Sequence, residues 1–368
     1  PPPCPAASTS MRNFAAWVVE EALKRGFKDV RENVFKASLR YERAIRAAVK
    51  PFKYRLLWTW DHRMEWAPGE FGLQLKGCHN PYLKRPEAFL RDYQALIDYC
   101  ADVGINGIII WGFLRDDHGG VEAAKKLCEY AARKGVRIIP GVGVNAYGGI
   151  YYDGDHEFNL HTWLERNPHL RAIAPQVEPN NPRAELACPS REENLRWYLR
   201  GLRWLFENFE IGGVNFEVGD YGICLCEECV RRRGEDEERG RAEDMAYFLP
   251  PLVEEVLRLK PDAWVIYSSY TGFTRGMMSD PPPFARAVPG PAICMWDMTG
   301  MIDEEDERWE RPSRRLRPPV RHSVGYMNQG SHLFKNQRYE FVPEAIVRLC
   351  LGALETGLEG VARKGGVG

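Results

Sequence analysis

The 368-residue sequence has no excess of charge of either sign: 50 Lys and Arg stand against 51 Asp and Glu, a net charge of −1. Without a basic field it lacks the electrostatic footprint of a nucleic-acid binder, and nucleic acid is excluded as a partner. It has no run of about 18 apolar residues, so no membrane-spanning helix and no membrane partner are expected. It has no internal repeat of roughly 20–50 residues beyond an alternation of strand-like and helix-like segments. The Gly-rich turn that opens a dinucleotide-binding fold is missing: after the first apolar strand stands Trp60-Asp61-His62-Arg63. Its 10 cysteines are too sparse over this length for a disulfide framework. Cys100, Cys128 and Cys350 fall in helical patterns and Cys294 in a strand, as reduced, buried thiols do. No signal peptide is visible, and the compartment is left open.

Apolar runs bounded by turn residues predict strands over Tyr54–Trp60, Gly107–Phe113, Val136–Val144, Gly213–Val218, Ala263–Tyr270, Ala292–Met298, His322–Met327 and Gly357–Ala362. Apolar residues at helical spacing predict helices over Pro86–Val103, Val121–Lys134, Arg191–Asn208, Ala242–Leu259 and Val342–Glu355. Eight strands with helical crossovers imply an α/β fold, a (β/α)8 barrel occupying residues 51–368. Residues 1–50, in which Phe14, Trp17, Val18, Ala22 and Leu23 recur at helical spacing, read as an N-terminal helical extension or linker. No eighth helix follows the last strand, so the natural chain is expected to continue. The charged run Arg231–Glu243 reads as a solvated loop or helix face.

Polar chemistry gathers after the strands rather than before them. Asp61 and His62 follow strand one; Arg115, Asp116, Asp117 and His118 follow strand two; Asn145 and Tyr147 follow strand three. Glu217 and Asp220 end strand four, Asp297 ends strand six, and Asn328, Gln329 and His332 follow strand seven. The opposite ends carry ordinary turns such as Gly104-Ile105-Asn106 and Pro261-Asp262-Ala263. In an α/β barrel the C-terminal rim is where catalytic groups sit. Glu217 is the sharpest candidate, because it follows Val214-Asn215-Phe216 with no turn residue between. Trp60, Trp111 and Trp296, in or at the ends of strands, offer flat faces for a sugar ring, and Trp60 and Trp296 each precede an acid.

Cys224-Leu225-Cys226-Glu227-Glu228-Cys229, with Cys188 upstream, supplies four soft ligands, enough for a closed tetrahedral zinc site of structural type. A set of two disulfides is the other reading of the spacing.

The stretch from Cys188 to Cys229 resembles the acid/base region of family 42 glycoside hydrolases, the β-galactosidases. There a Cys-Pro precedes a long helix, a strand ends in Asn-Glu, and Cys-x-Cys-x-x-Cys follows. The matching positions are Cys188-Pro189, the helix before residue 208, Phe216-Glu217, and Cys224, Cys226 and Cys229. The resemblance implies a glycosidase barrel with Glu217 as general acid/base and the four cysteines on structural zinc. This chain departs from the pattern at Phe216, where those enzymes have Asn, and at Met327-Asn328-Gln329-Gly330, where they carry a nucleophilic Glu. A looser likeness is to family 20 hexosaminidases, which place two adjacent acids at the end of strand four; here the pair is Glu217 and Asp220.

The expectation is a glycoside hydrolase acting on an oligosaccharide or glycoside. Its acid is Glu217, and its second group is Asp220, Asp297 or Asp61, in that order. Trp60, Asp61, His62, Trp111, Asp117, His118, Trp296, Asn328, Gln329 and His332 would bind substrate. A metal-dependent isomerase, aldolase or lyase would instead gather Asp61, His62, Asp117, His118, Glu217 and Asp297 around a divalent cation. A non-catalytic barrel that binds glycans is the third possibility.

Overall fold

Eight apolar runs form strands: β1 (Tyr54–Trp60), β2 (Gly107–Trp111), β3 (Arg137–Gly143), β4 (Gly213–Val218), β5 (Trp264–Ser269), β6 (Ile293–Asp297), β7 (Ser323–Met327) and β8 (Gly360–Lys364). Each pairs in parallel with the next, and β8 returns to β1 with Gly360 opposite Tyr54, so the sheet closes into a barrel. The computed structural model describes residues 52–60, 86–173, 186–218, 222–269, 287–298, 320–327 and 343–364. The expected extension over residues 1–50 lies outside them. All eight strands fall where the apolar runs predict, with ends shifted by no more than three residues.

The helices are α1 (Pro86–Val103), α2 (Gly120–Lys134), α3 (Leu160–Arg166), α4 (Glu192–Asn208), α5 (Glu227–Arg233), α6 (Glu237–Leu259) and α7 (Pro343–Glu355). Local chemistry sets their ends. Gly135, at φ 72, ends α2 by returning its N–H to the carbonyls of Ala131 and Ala132, a left-handed turn open to glycine at little cost. Asn159 starts α3 by accepting the N–H of Thr162 at 3.1 Å, and Asp236 starts α6 by accepting that of Arg239 at 2.7 Å. Sequence periodicity passes over α3 and α5 because seven residues complete only two turns.

Strand side chains alternate between two cores. Inside the barrel pack Leu56, Trp58, Ile109, Trp111, Ile139 and Ile266. Outside, Ile108, Ile110, Val214, Phe216 and Val265 meet the helical layer through Phe89, Tyr93, Trp197 and Leu252. Burying each such side chain contributes about 1.5–3 kcal/mol.

The N-terminal rim is tied across its strands. Asn106 accepts the Arg55 N–H and donates to the Lys53 carbonyl, both at 2.9 Å. Arg137 donates to the carbonyls of Gly212 and Asp262 and pairs with the Asp262 carboxylate at 3.0 Å.

The charged run after residue 230 is not simply solvated. Arg233 is buried and donates to Asp244 at 2.9 Å and to the carbonyl of Cys224. Arg232 is half-buried, pairs with Asp244 at 2.5 Å and lies over the Tyr247 ring. The residues between α5 and α6 form a turn that folds these cations back onto the protein.

Candidate active site

β4 sets the site by its alternation. Val214 and Phe216 face the helices, so Asn215 and Glu217 face the barrel interior. Glu217 is 5% exposed and lies in register between Gly143 of β3 and Ser268 of β5. Its carbonyl accepts the N–H of Val144 at 2.9 Å. On one side Gly143 lets the turn after β3 pack close; a Cβ there would lie 2.1 Å from the Ala146 carbonyl oxygen. Ser268, on the other side, presents a buried hydroxyl without a hydrogen-bond partner.

Below Glu217, Asn215 accepts the indole N–H of Trp111 at 3.0 Å. This fixes Trp111 across the barrel, where a Cβ on Gly141 would lie 2.4 Å from the ring. Trp58 lies tilted beside it with ring centres 6.4 Å apart, and Tyr147 and Tyr152 meet it edge-on. Trp111 is 2% exposed and therefore forms the floor under the rim. Over Tyr152 lies the guanidinium of Arg115, paired with Asp153 at 2.7 Å.

The turn after β3 is unusual backbone. Asn145 (φ 60) and Tyr147 (φ 51) are the non-glycine residues with positive φ among the described residues. Tyr198 of α4 holds the turn: its hydroxyl donates to the Gly143 carbonyl at 2.6 Å and accepts the Asn145 N–H at 2.7 Å.

The structure does not bring every expected residue to this rim. Trp296 faces outward into the helical layer, fully buried, and donates its indole N–H to Ser323 at 3.0 Å. His118 is also in the outer layer, buried and stacked on Phe89 of α1 at 5.1 Å. Asp117 is exposed on the short 3-10 turn Asp116–His118. Its neighbour Asp116 accepts the Tyr151 hydroxyl at 2.5 Å and the Asp155 N–H at 2.9 Å. Trp60 and Asp297 end β1 and β6, and their side chains lie outside what is described, as do Asp61, His62, Asp220, Asn328, Gln329 and His332 altogether.

Sequence reasoning missed Asn215 and Ser268. A signal existed for Asn215: it lies two residues before Glu217 on the same strand, hence on the same face.

The four cysteines converge. Cys188, Cys224, Cys226 and Cys229 are buried, with sulfurs all within 4.8 Å of one another. Cys188 Sγ stands 3.7 Å from those of Cys226 and Cys229. Tetrahedral bonds of about 2.3 Å to zinc place sulfurs about 3.8 Å apart, so the cluster fits a tetrahedral metal. Disulfides are absent among the described cysteines, which are all free thiols. Cys229 is pulled well below the usual thiol range, by hydrogen bonds from Cys188 first and Cys224 second. Ser190 Oγ lies 3.0 Å from Cys229 Sγ, and the Ile173 N–H donates to Cys224 Sγ at 3.4 Å, as thiolates require of their surroundings. Cys188 is pushed the opposite way, by its hydrogen bonds with Cys224 first and Cys229 second, so the shift within the cluster falls on one sulfur. Burial pushes the lone thiols Cys100 up to about 12 and Cys350 to about 11. Among the described residues no other cluster of His, Cys, Asp and Glu has a metal-binding geometry. No helix there is long and apolar enough to cross a membrane.

No protein-family model and no curated protein matches this sequence. Solved structures of similar fold include glycoside hydrolases. A β-N-acetylhexosaminidase aligns with a TM-score of 0.51 at 14% identity, over 86% of this chain and 66% of its own. A family 20 β-N-acetylglucosaminidase gives 0.47 at 10% identity, over 85% of this chain and 64% of its own. A family 36 α-galactosidase from Geobacillus stearothermophilus gives 0.45 at 10% identity, over 85% and 39%. This chain thus spans less than two thirds of the length of these proteins. At such identities the likeness is one of fold.

Proposed function

We propose that this barrel is a glycoside hydrolase in which Glu217 protonates the leaving oxygen. The observation that carries this reading is the placement of Glu217: inward-facing, 5% exposed, at the C-terminal end of β4 in a closed parallel barrel. A carboxyl group at that place stands where a leaving oxygen could take its proton, which is what a general acid must supply. Glycosidic cleavage needs a second group, as nucleophile or as base for water. Asp220, Asp297 and Asp61, in that order, are our candidates. Trp60 would stack on the sugar, Trp111 would support it from below, and Asp61, His62, Asn328, Gln329 and His332 would hold its hydroxyls.

Zinc is our assignment for the cysteine cluster, held by Cys188, Cys224, Cys226 and Cys229. With four protein ligands it has no open position for water or substrate, so its role is structural. It would pin Cys188, behind the turn after β3, to the segment that follows Glu217.

Turnover of aryl glycosides with good and poor leaving groups tests the acid. Glu217→Gln preserves shape and removes the transferable proton. Poor leaving groups, which depend on protonation, should lose far more rate than good ones. Equal rates of wild type and variant on both would defeat the assignment. Binding of sugars without any turnover by the wild type would mark a glycan-binding barrel instead.

A further inference from the structure

In a (β/α)8 barrel the ring of helices covers the outer faces of the strands. Among the described residues no helix lies over β8 and β1, between α7 and α1. The side chains around that place are open to solvent. Tyr99 and Val103 of α1 and Leu351 of α7 are 44–46% exposed, although all three are large and apolar. Asp98 turns to α2, where it meets Tyr130 and Lys134. Tyr99, about 100° further round the helix, turns to the other side, and Val103, one turn on, lies beneath it. Leu57 of β1, opposite Arg363 of β8, and Val361 form the floor. Arg363 is half-buried and projects outward, since its neighbour Ala362 faces the barrel interior. Burial raises the Tyr99 hydroxyl and the Cys350 thiol of α7, and the nearby Arg363 guanidinium opposes the rise in both, which places it between the two helices. Whatever covers this face must therefore be apolar and must bring an acid to Arg363.

The sequence just before β1 has that pattern. Phe35, Leu39, Ile45 and Val49 recur at the spacing of one helix face. Glu42 falls in the middle of the same face and is the sole acid among residues 33–50. Lys36, Arg40 and Arg43 fall on the opposite side. The path of the chain agrees. Phe52 is buried in the outer core, and the Lys53 and Tyr54 N–H groups donate to the carbonyl of Glu359, just before β8. The chain thus enters β1 directly below the open face. Lys50 and Pro51 would be the link, a length usual between a helix and the strand it leads into. Residues 35–49 would make about 22 Å of helix, close to the length of the 13-residue α7.

We propose that residues 35–49 form a helix that docks between α7 and α1 and closes the outer layer over β8 and β1, with Glu42 paired to Arg363. The helix that completes the ring then precedes the first strand instead of following the last. This inference is independent of the glycosidase reading of Glu217.

Urea unfolding of the full chain tests the docking. Leu39→Asp puts a charge into the docked face and should lower the midpoint by about 1 M, whereas Arg40→Asp, on the outer side, should leave it unchanged. Hydrogen exchange locates the contact: in Leu39→Asp the amides of α1 and α7 should exchange about tenfold faster, and those of α4 and α6 at the wild-type rate. Glu42→Arg and Arg363→Glu should each lower the midpoint, and the double variant should recover most of the combined loss. Should Arg363→Glu not fold, Arg363→Gln replaces it, and Glu42→Gln should then cost less stability in that background than in the wild type. Equal midpoints for Leu39→Asp and Arg40→Asp overturn the docking, as does exchange in α1 and α7 that stays at the wild-type rate. A loss in Leu39→Asp that depends on protein concentration overturns it too, because it marks a second copy on the face. Additive losses in the double variant, or an equal cost of Glu42→Gln in both backgrounds, overturn the pair with Arg363.

Discussion

The two ends of the barrel are organised on opposite terms. At the N-terminal end, polar side chains are satisfied within the fold: Asn106 bridges the backbone groups of Lys53 and Arg55 on either side of Tyr54, Arg137 joins Gly212 and Asp262, and His322 meets Glu359 at 2.7 Å. At the C-terminal end, Arg115 Nε and Nη1, Asn145 Oδ1 and Ser268 Oγ are buried without hydrogen-bond partners. Folded proteins satisfy nearly all of their buried polar atoms, so a group of open ones marks a surface arranged for something besides its own stability. One rim holds the barrel together, and the other is held ready by it.

Substitutions at the two ends should therefore separate stability from activity. The largest effect belongs to the C-terminal rim. Glu217→Gln should cost about 10²–10⁴-fold in kcat/KM on glycosides with poor leaving groups. Its urea midpoint should stay within error of the wild type; a large shift there would mean that Glu217 braces the fold. Next comes Cys229→Ser, which should abolish bound zinc by elemental analysis. It should destabilise by about 4 kcal/mol or more, the range associated with loss of a structural metal. Full metal content in that variant would disprove the ligand set.

The remaining two effects belong to the lower half. Glu255 of α6 is pulled down to about 2, by Arg258 first, with Arg203 adding to it. A carboxylate whose folded pKa is depressed contributes stability that is present above its ordinary value of 4.5 and lost as pH falls toward the folded one. Allowing for the solvent around both arginines, Glu255→Gln should cost about 1–2 kcal/mol at neutral pH. The difference from wild type should shrink below pH 4.5 and vanish near pH 2, with no change in kcat at neutral pH. A stability difference that is flat with pH would contradict the pairing. Smallest is Asn106→Ala, expected at about 1 kcal/mol for the lost strand bridge, again at constant kcat. Measurable loss of activity per folded molecule would erase the distinction between the ends.

Strand positions were legible because strands covered on both faces read as nearly unbroken apolar runs, as in Gly107-Ile108-Ile109-Ile110-Trp111. Legible too was the cysteine cluster, whose ligands sit close together in sequence except for Cys188. Facing was harder. Trp296 stands next to an acid in the sequence, yet its own side chain packs into the outer core among the helices, a facing that the sequence neighbour does not reveal. His118 failed for a related reason: a short 3-10 turn, too brief to show periodicity, swings it under α1 onto Phe89. The Asn215–Trp111 hydrogen bond joins residues 104 positions apart and leaves no local trace. The left-handed backbone at Asn145 was hidden as well, although Asn is among the residues that tolerate it best.

Gly141 and Trp111 are best regarded as one inherited choice. The indole occupies the space where any side chain at 141 would begin, 2.4 Å from an added Cβ. As long as tryptophan stays at 111, position 141 has a vocabulary of one letter. A lineage can leave this pair only in one order, shrinking the ring first and filling the glycine afterwards, since the reverse step forces two atoms into one place. Drift at the floor of the barrel is therefore ratcheted, and no descendant of this chain should carry a side chain at 141 while tryptophan remains at 111.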